Sequence, residues 1–294
     1  MTSVLPWGNP TDLRAYATGE PRRGLCGLCG ITSTRVCGWV VSSEWLPTSA
    51  FPQNASHVQS GAPQENLTLM FGPVQPTRYD LAFSLFGIPV RVIPWFWLTG
   101  VLLGFNLVRD PDQGLLLLLI WLGVMFVSIL VHELGHACFA ALFGYPPSIL
   151  LYQFGGLTLY QPTHGYSTAR SILITAAGPL FGVVLAIASF VALSFTTDGA
   201  PDLLTTALGM LLQINIFWTV LNVMPVLPLD GGQICRDVCI AASPRRGIFV
   251  ALSISIVTAG VIGAGLLYFR LTFAGIMFLL LAFQNFQELQ QRRS

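Results

Sequence analysis

Charge is scarce in this chain. Only 9% of its 294 residues are Asp, Glu, Lys or Arg, and all 14 basic residues are arginine. A water-soluble domain of this length carries about 25% charged residues, so a soluble globular fold is excluded and an integral membrane protein is implied. The acidic and basic residues nearly balance at a net charge of +1. No basic patch is interleaved with aromatics, so no nucleic-acid partner is expected. Cysteine is also sparse, at positions 26, 29, 37, 138, 235 and 239. That scatter excludes the dense disulfide framework of a small secreted domain. Cys26-x-x-Cys29 with Cys37 lacks a fourth ligand at ribbon spacing, His57 being the nearest candidate, and reads as ordinary thiols rather than a zinc ribbon. Cys235 and Cys239 share a helical face as small packing residues. There is no internal repeat, low-complexity tract or appended soluble domain.

Periodicity is missing from residues 1–78, which are rich in Pro, Gly, Ser and Thr and read as a disordered extension. It contains no apolar run that would serve as a signal sequence. Asn54-Ala55-Ser56 and Asn66-Leu67-Thr68 match the glycosylation acceptor pattern, which is common by chance. Residues 79–294 are the coherent part, a polytopic membrane domain.

Long apolar runs are what the chain has in abundance. From Leu115 to Val131 there is no charged residue, and the run 114–143 exceeds the roughly 20 helical residues that span the hydrocarbon layer. Further spans are expected over 95–108, 171–195, 203–223, 248–268 and 271–286. The fold class is therefore an α-helical integral membrane protein with about six transmembrane helices. Residues 81–94 read as short extended pieces punctuated by Gly and Pro. Residues 149–160, with β-branched and aromatic residues around Gly155-Gly156, look like a small membrane-embedded β-hairpin. Its edge must face protein or an aqueous cavity. It is either a docking edge for an extended peptide or a re-entrant surface loop.

The run 114–143 ends in His132-Glu133-Leu134-Gly135-His136. Ionisable groups inside a membrane are expensive, so a functional role is the default reading. Four residues apart on a helix, His132 and His136 share one face, as two nitrogens must to bind one metal ion. Glu133, about 100° further round, stands beside that ion without ligating it. This is the pattern in which two imidazoles hold zinc and a carboxylate serves as general base. A third ligand is then needed from another helix. Residues 222–232, Asn-Val-Met-Pro-Val-Leu-Pro-Leu-Asp-Gly-Gly, break helical pairing after the 203–223 span. Asp230 is thereby expected on irregular backbone, which at membrane depth is tolerated only inside protein or beside a cavity. Asp230 is the candidate third ligand.

With both motifs in view, the sequence resembles the site-2 protease family of intramembrane zinc metalloproteases over roughly residues 81–287. The residues that carry the resemblance are His132-Glu133-x-x-His136, Gly178-Pro179 and Asn222-x-x-Pro225-x-x-Pro228-Leu229-Asp230-Gly231. It implies that His132, His136 and Asp230 hold Zn²⁺ and that Glu133 is the base. It further implies that Asn222 helps hold the substrate or its oxyanion, and that Gly155-Gly156 belongs to the family's membrane-embedded hairpin. The expected partners are a transmembrane protein substrate and the lipid bilayer, and the expected activity is peptide-bond cleavage in or near a transmembrane segment. Two positions depart from the pattern: Gly182 stands where many relatives have Asn, and Ile93 where many have His. A non-catalytic, metal-binding relative acting as a binding or chaperone-like protein is the main alternative, though it would not need Glu133. A transporter is disfavoured by the lack of an inverted repeat.

Sidedness follows from the arginines. If six helices alternate, Arg78, Arg91, Arg170, Arg236, Arg245, Arg246, Arg292 and Arg293 share one face, against Arg109 and Arg270 on the other. The richer face, with both termini, is expected to be cytoplasmic.

Overall fold

The structure is a computed structural model that describes residues 77–153, 155–162, 165–196 and 202–293. The expected disorder over nearly all of the N-terminal extension, the Cys26, Cys29, Cys37 and His57 group and both glycosylation patterns lie outside these residues. Strands β1 (Leu81–Leu85) and β2 (Ile88–Val92) form a hairpin. Helix α1 (Pro94–Gly104) begins with proline in its first turn, where the missing N–H costs no hydrogen bond. A single 3₁₀ stretch, Phe105–Arg109, follows. The carboxylate of Asp110 then accepts from the amides of Asp112 (3.0 Å) and Gln113 (2.9 Å), shaping the turn into α2 (Gly114–Leu142). Gly144, at φ +79°, closes α2 with a left-handed turn in which its amide and that of Tyr145 return to Ala141 and Ala140.

Strands β3 (Pro147–Tyr152) and β4 (Gly155–Tyr160) come next and complete one four-stranded sheet in the order β1-β2-β3-β4. The two hairpins are antiparallel, and β2 runs parallel to β3 with Val90 opposite Ile149. The connection between those parallel strands is the α1–α2 pair, since a parallel neighbour cannot be reached by a tight turn. The sheet packs on α2 through Val90, Val92, Ile149 and Leu151, which meet Ile129, Leu130, Leu134 and Ala137. Leu130, Leu134 and Ala137 recur at four and three residues and so line one helical stripe. His132 and His136 lie roughly opposite that stripe, which turns them away from the sheet.

The remaining helices are α3 (Thr168–Ser194), α4 (Leu203–Val223), α5 (Asp230–Ala242), α6 (Gly247–Tyr268) and α7 (Thr272–Gln291). Helix α2 packs on α3 and α4, α5 on α3 and α6, and α6 on α7. Side chains cap two starts: Ser167 accepts from the Arg170 amide, and Asp202 from the Thr205 amide at 2.7 Å.

Four helices among the described residues, α2, α3, α4 and α6, are long and apolar enough to cross a membrane. Of the six expected spans, the first is a helix of 11 residues, which rises only about 16 Å. The last, α7, is interrupted in its second half by Gln284, Asn285, Gln287 and Glu288. The surface of the bundle is apolar, with Leu115, Leu119, Val184, Phe190, Phe217 and Val261 exposed, while Ser128, Thr175, Asn215, Ser255 and Asn285 are buried. This inversion suits a lipid exterior and helices joined by small and polar contacts.

The structure corrects one expectation. Asp230 is not on irregular backbone but is the first residue of α5. The two prolines do break α4, leaving residues 224–229 irregular. The carboxylate then starts a new helix, where the N-terminal end of the helix dipole favours it.

Candidate metal centre

Two helices deliver the donor atoms. Nε2 of His132 and Nε2 of His136, from one face of α2, lie 3.2 Å apart. Oδ2 of Asp230, at the start of α5, lies 3.0 Å from the first and 3.4 Å from the second. All three residues are buried. A tetrahedral zinc site with ligands at about 2.0–2.1 Å has ligand-to-ligand edges of about 3.3 Å. The observed triangle is therefore close to one face of such a tetrahedron, and the donor set of two imidazoles and a carboxylate fits a borderline-soft dication. Helix α3 contributes the third wall. His136 Nδ1 donates to the Ile174 carbonyl at 2.8 Å, which fixes the tautomer and leaves the Nε2 lone pair facing the other two donor atoms. Gly178 lies so close that any Cβ there would collide with His136 Nε2 and its ring neighbours. Gly178 is thus needed for clearance beside His136.

Asp230 is held from behind by the last two helices. The chain at Leu227 is irregular, and its two peptide groups are met by side chains. Ser255 on α6 accepts from the Leu227 amide at 2.8 Å, and Asn285 on α7 donates to the Leu227 carbonyl at 2.9 Å. Gln233, on α5 itself, donates to the Pro228 carbonyl at 3.0 Å. Irregular backbone at this depth survives only because it is so satisfied. Further along α5, Asp237 accepts from Ser171 at 2.6 Å and from Arg236, tying that helix to the start of α3.

Glu133 faces the sheet instead of the triangle. Thr158 on β4 donates to its carboxylate Oε2, 2.7 Å away, and also lies 3.1 Å from the Glu133 carbonyl. Two residues earlier on the same strand face, Gly156 leaves room for the Glu133 side chain, which a Cβ would overlap. Gly155, at φ +132°, opens β4 opposite Tyr152, and a Cβ there would press on the Trp218 ring of α4. The hairpin turn therefore falls before the glycine pair, between Tyr152 and Gly155. Burial, with the nearby Glu133 charge adding to it, holds the Tyr152 phenol above its ordinary pKa.

The structure brings His132, His136 and Asp230 together, and places Glu133 and Gly156 at the β4–α2 contact with Gly155 against Trp218 of α4. It does not engage Asn222 with that group: its amide donates to the Trp218 carbonyl, one turn back in α4, at 3.0 Å. Thr158, Ser255 and Asn285 were not singled out from sequence. The usable signal for the last two was a polar side chain inside an apolar span.

No protein-family model matches the chain. A Synechocystis protein with a provisional zinc-metalloprotease name is 32% identical over 181 residues, 57% of this chain and 46% of that protein. A zinc metalloprotease of Methanocaldococcus jannaschii is 28% identical over 163 residues, 53% of this chain and 44% of that one. The chain is similar over about half its length to proteins named as zinc metalloproteases. It spans less than half the length of these curated relatives. Among solved structures, the site-2 protease from Methanocaldococcus jannaschii aligns at 25% identity over 72% of this chain and 94% of that one, with a TM-score of 0.47.

Proposed function

We propose that this chain is an intramembrane zinc metalloprotease that hydrolyses a peptide bond in or near a transmembrane segment of a membrane-protein substrate. The observation that carries the reading is the convergence of two imidazole nitrogens and a carboxylate oxygen, 3.0–3.4 Å apart, beside Glu133 on a helix able to cross a bilayer. His132, His136 and Asp230 would hold Zn²⁺, which when bound supplies Lewis acidity toward water and the scissile carbonyl. Glu133 accepts the proton of the attacking water and passes it to the leaving amine. Thr158 orients that carboxylate from the strand side. Asn222 is assigned to the substrate or to the developing oxyanion, releasing its bond to the Trp218 carbonyl when it does so.

The substrate must present an extended segment, because a helical peptide carbonyl is already engaged in the helix. Strand β4 begins at Gly155-Gly156 and is the edge of the sheet nearest Glu133. Pairing of the unwound segment along it would offset the cost of unwinding. We also read the chain as crossing the membrane six times, α1 and α7 included, with both termini cytoplasmic.

The deciding experiment is incubation of the purified protein with a panel of single-span substrates, beside Glu133→Gln and a chelator. Zinc-dependent cleavage that the substitution abolishes is expected. Zinc binding with no cleavage of any member would favour the non-catalytic alternative.

A further inference from the structure

The two ligand imidazoles are supported unequally. With Nε2 turned toward the other ligand atoms, each ring carries its hydrogen on Nδ1 and needs an acceptor there. His136 has the Ile174 carbonyl. His132 is 3% exposed, and its Nδ1 makes no hydrogen bond to any described protein group. A second buried atom near it is in the same state, the hydroxyl of Thr219 on α4.

Both atoms border one recess beside Gly182 of α3. A Cβ built on that glycine would lie 2.7 Å from Thr219 Oγ1, 4.0 Å from His132 Nδ1 and 4.0 Å from Asn215 Oδ1. Asn215 is 2% exposed and spends its amide hydrogens on Ser128 Oγ (2.9 Å) and the Leu211 carbonyl (2.8 Å). Its carboxamide is thereby fixed with the oxygen as the acceptor facing Gly182. One donor, one acceptor and one hydroxyl that can do either thus lie around the face of Gly182 that carries no side chain. A buried water is retained where it finds two to four such partners, and it bridges polar atoms too far apart to bond directly.

We propose that a single ordered water occupies this recess, accepting from His132 Nδ1 and bonding Thr219 and Asn215, and that these two are positioning residues for His132. The proposal rests on the reading that His132 Nε2 ligates zinc. Ser128 stands one turn before His132 on α2, so the relay from Ser128 through Asn215 and the water returns to the ligand's own helix. The ring is thus held from α4 against the backbone that carries it. Loss of such an outer partner typically weakens a metal site about 10–100-fold.

The test uses the full chain and reads zinc affinity by chelator competition, with the melting temperature of the metal-free protein as control. Thr219→Val removes the hydroxyl at similar volume, Thr219→Ser keeps it, and Gly182→Ala puts a methyl group into the recess. Thr219→Val and Gly182→Ala are expected to weaken zinc about 10-fold or more, and Thr219→Ser to stay within about threefold of wild type, without a matching order in the metal-free melting temperatures. Wild-type affinity in Thr219→Val, or in Gly182→Ala should Thr219→Val not fold, would overturn the proposal alone. So would Thr219→Ser as weak as Thr219→Val. A wild-type chain without zinc would overturn it together with the reading of the site.

Discussion

Glu133 and Asp230 are both carboxylates at the same centre, yet their surroundings assign them different work. Asp230 Oδ2 closes a triangle with two imidazole nitrogens, whereas Glu133 is held off that triangle by the Thr158 hydroxyl. Glu133→Gln should therefore retain stoichiometric zinc and lose cleavage by about 10²–10⁴-fold or more, since an amide cannot take the water's proton. Metal analysis beside a cleavage assay checks this, and an active mutant would remove Glu133 from the mechanism. Asp230→Ala should lower zinc affinity by more than the roughly 10–100-fold expected for an outer partner, because two imidazoles remain without the closing charge. Full zinc occupancy in that protein would place the third ligand elsewhere. The pairing of the histidines was legible in the sequence because helix geometry is local: a spacing of four puts two histidines on one face wherever the helix lies. Thr158 was not legible. Its bond to Glu133 depends on which strand face meets α2, a matter of tertiary register that no spacing of 25 residues encodes.

At the scale of the elements, the least expected feature is the way α6 and α7 support the segment before Asp230, a residue they do not carry. The sequence reading placed both as spans and gave their polar residues no task. Ser255 and Asn285 satisfy the two sides of Leu227, three residues before Asp230. Asn285→Leu removes the donor and strands the Leu227 carbonyl, a loss of about 1–3 kcal/mol for a buried group left unpaired. We expect a lower melting temperature together with weaker zinc binding, because the segment that aims Asp230 slackens. A melting shift with unchanged zinc affinity would show that α5 holds its aspartate without this help. Helix α5 itself was hidden by its own first residues. Asp-Gly-Gly has low helix propensity, and only the break made by Pro225 and Pro228 was read. The sheet was half visible: alternation and turn residues marked both hairpins, but the parallel pairing of β2 with β3 across α1 and α2 is long-range. Pairings of that kind leave no local mark.

For the molecule as a whole, the open quantity is which end of the helix bundle faces the cytoplasm. Helix α2 reaches His132 and His136 in its second half, and α5 starts with Asp230 just after α4 ends, so the candidate metal centre lies toward the end of the bundle where α2 and α4 terminate. Helix α3 begins at that same end, and its first turn is tied to α5 by the Ser171–Asp237 bond. Taken with α1 and α7 as crossing helices, the eight arginines counted above gather at this end and two at the other. By the positive-inside rule we propose that the richer end is cytoplasmic. The arginine count and the meeting of the ligands are independent observations, and they select the same end. The expected outcome is that reporter fusions at Ser294 register a cytoplasmic C-terminus, and that a single-span substrate is cut in the cytoplasmic half of its membrane segment, releasing a cytoplasmic fragment. A reporter that registers an external C-terminus, with the 144–170 loop still cytoplasmic by cysteine labelling, would mean that α7 does not cross. In that case the site keeps its side, and only the count of spans changes. External labelling of that loop would instead invert the whole assignment and move the cut to the outer half.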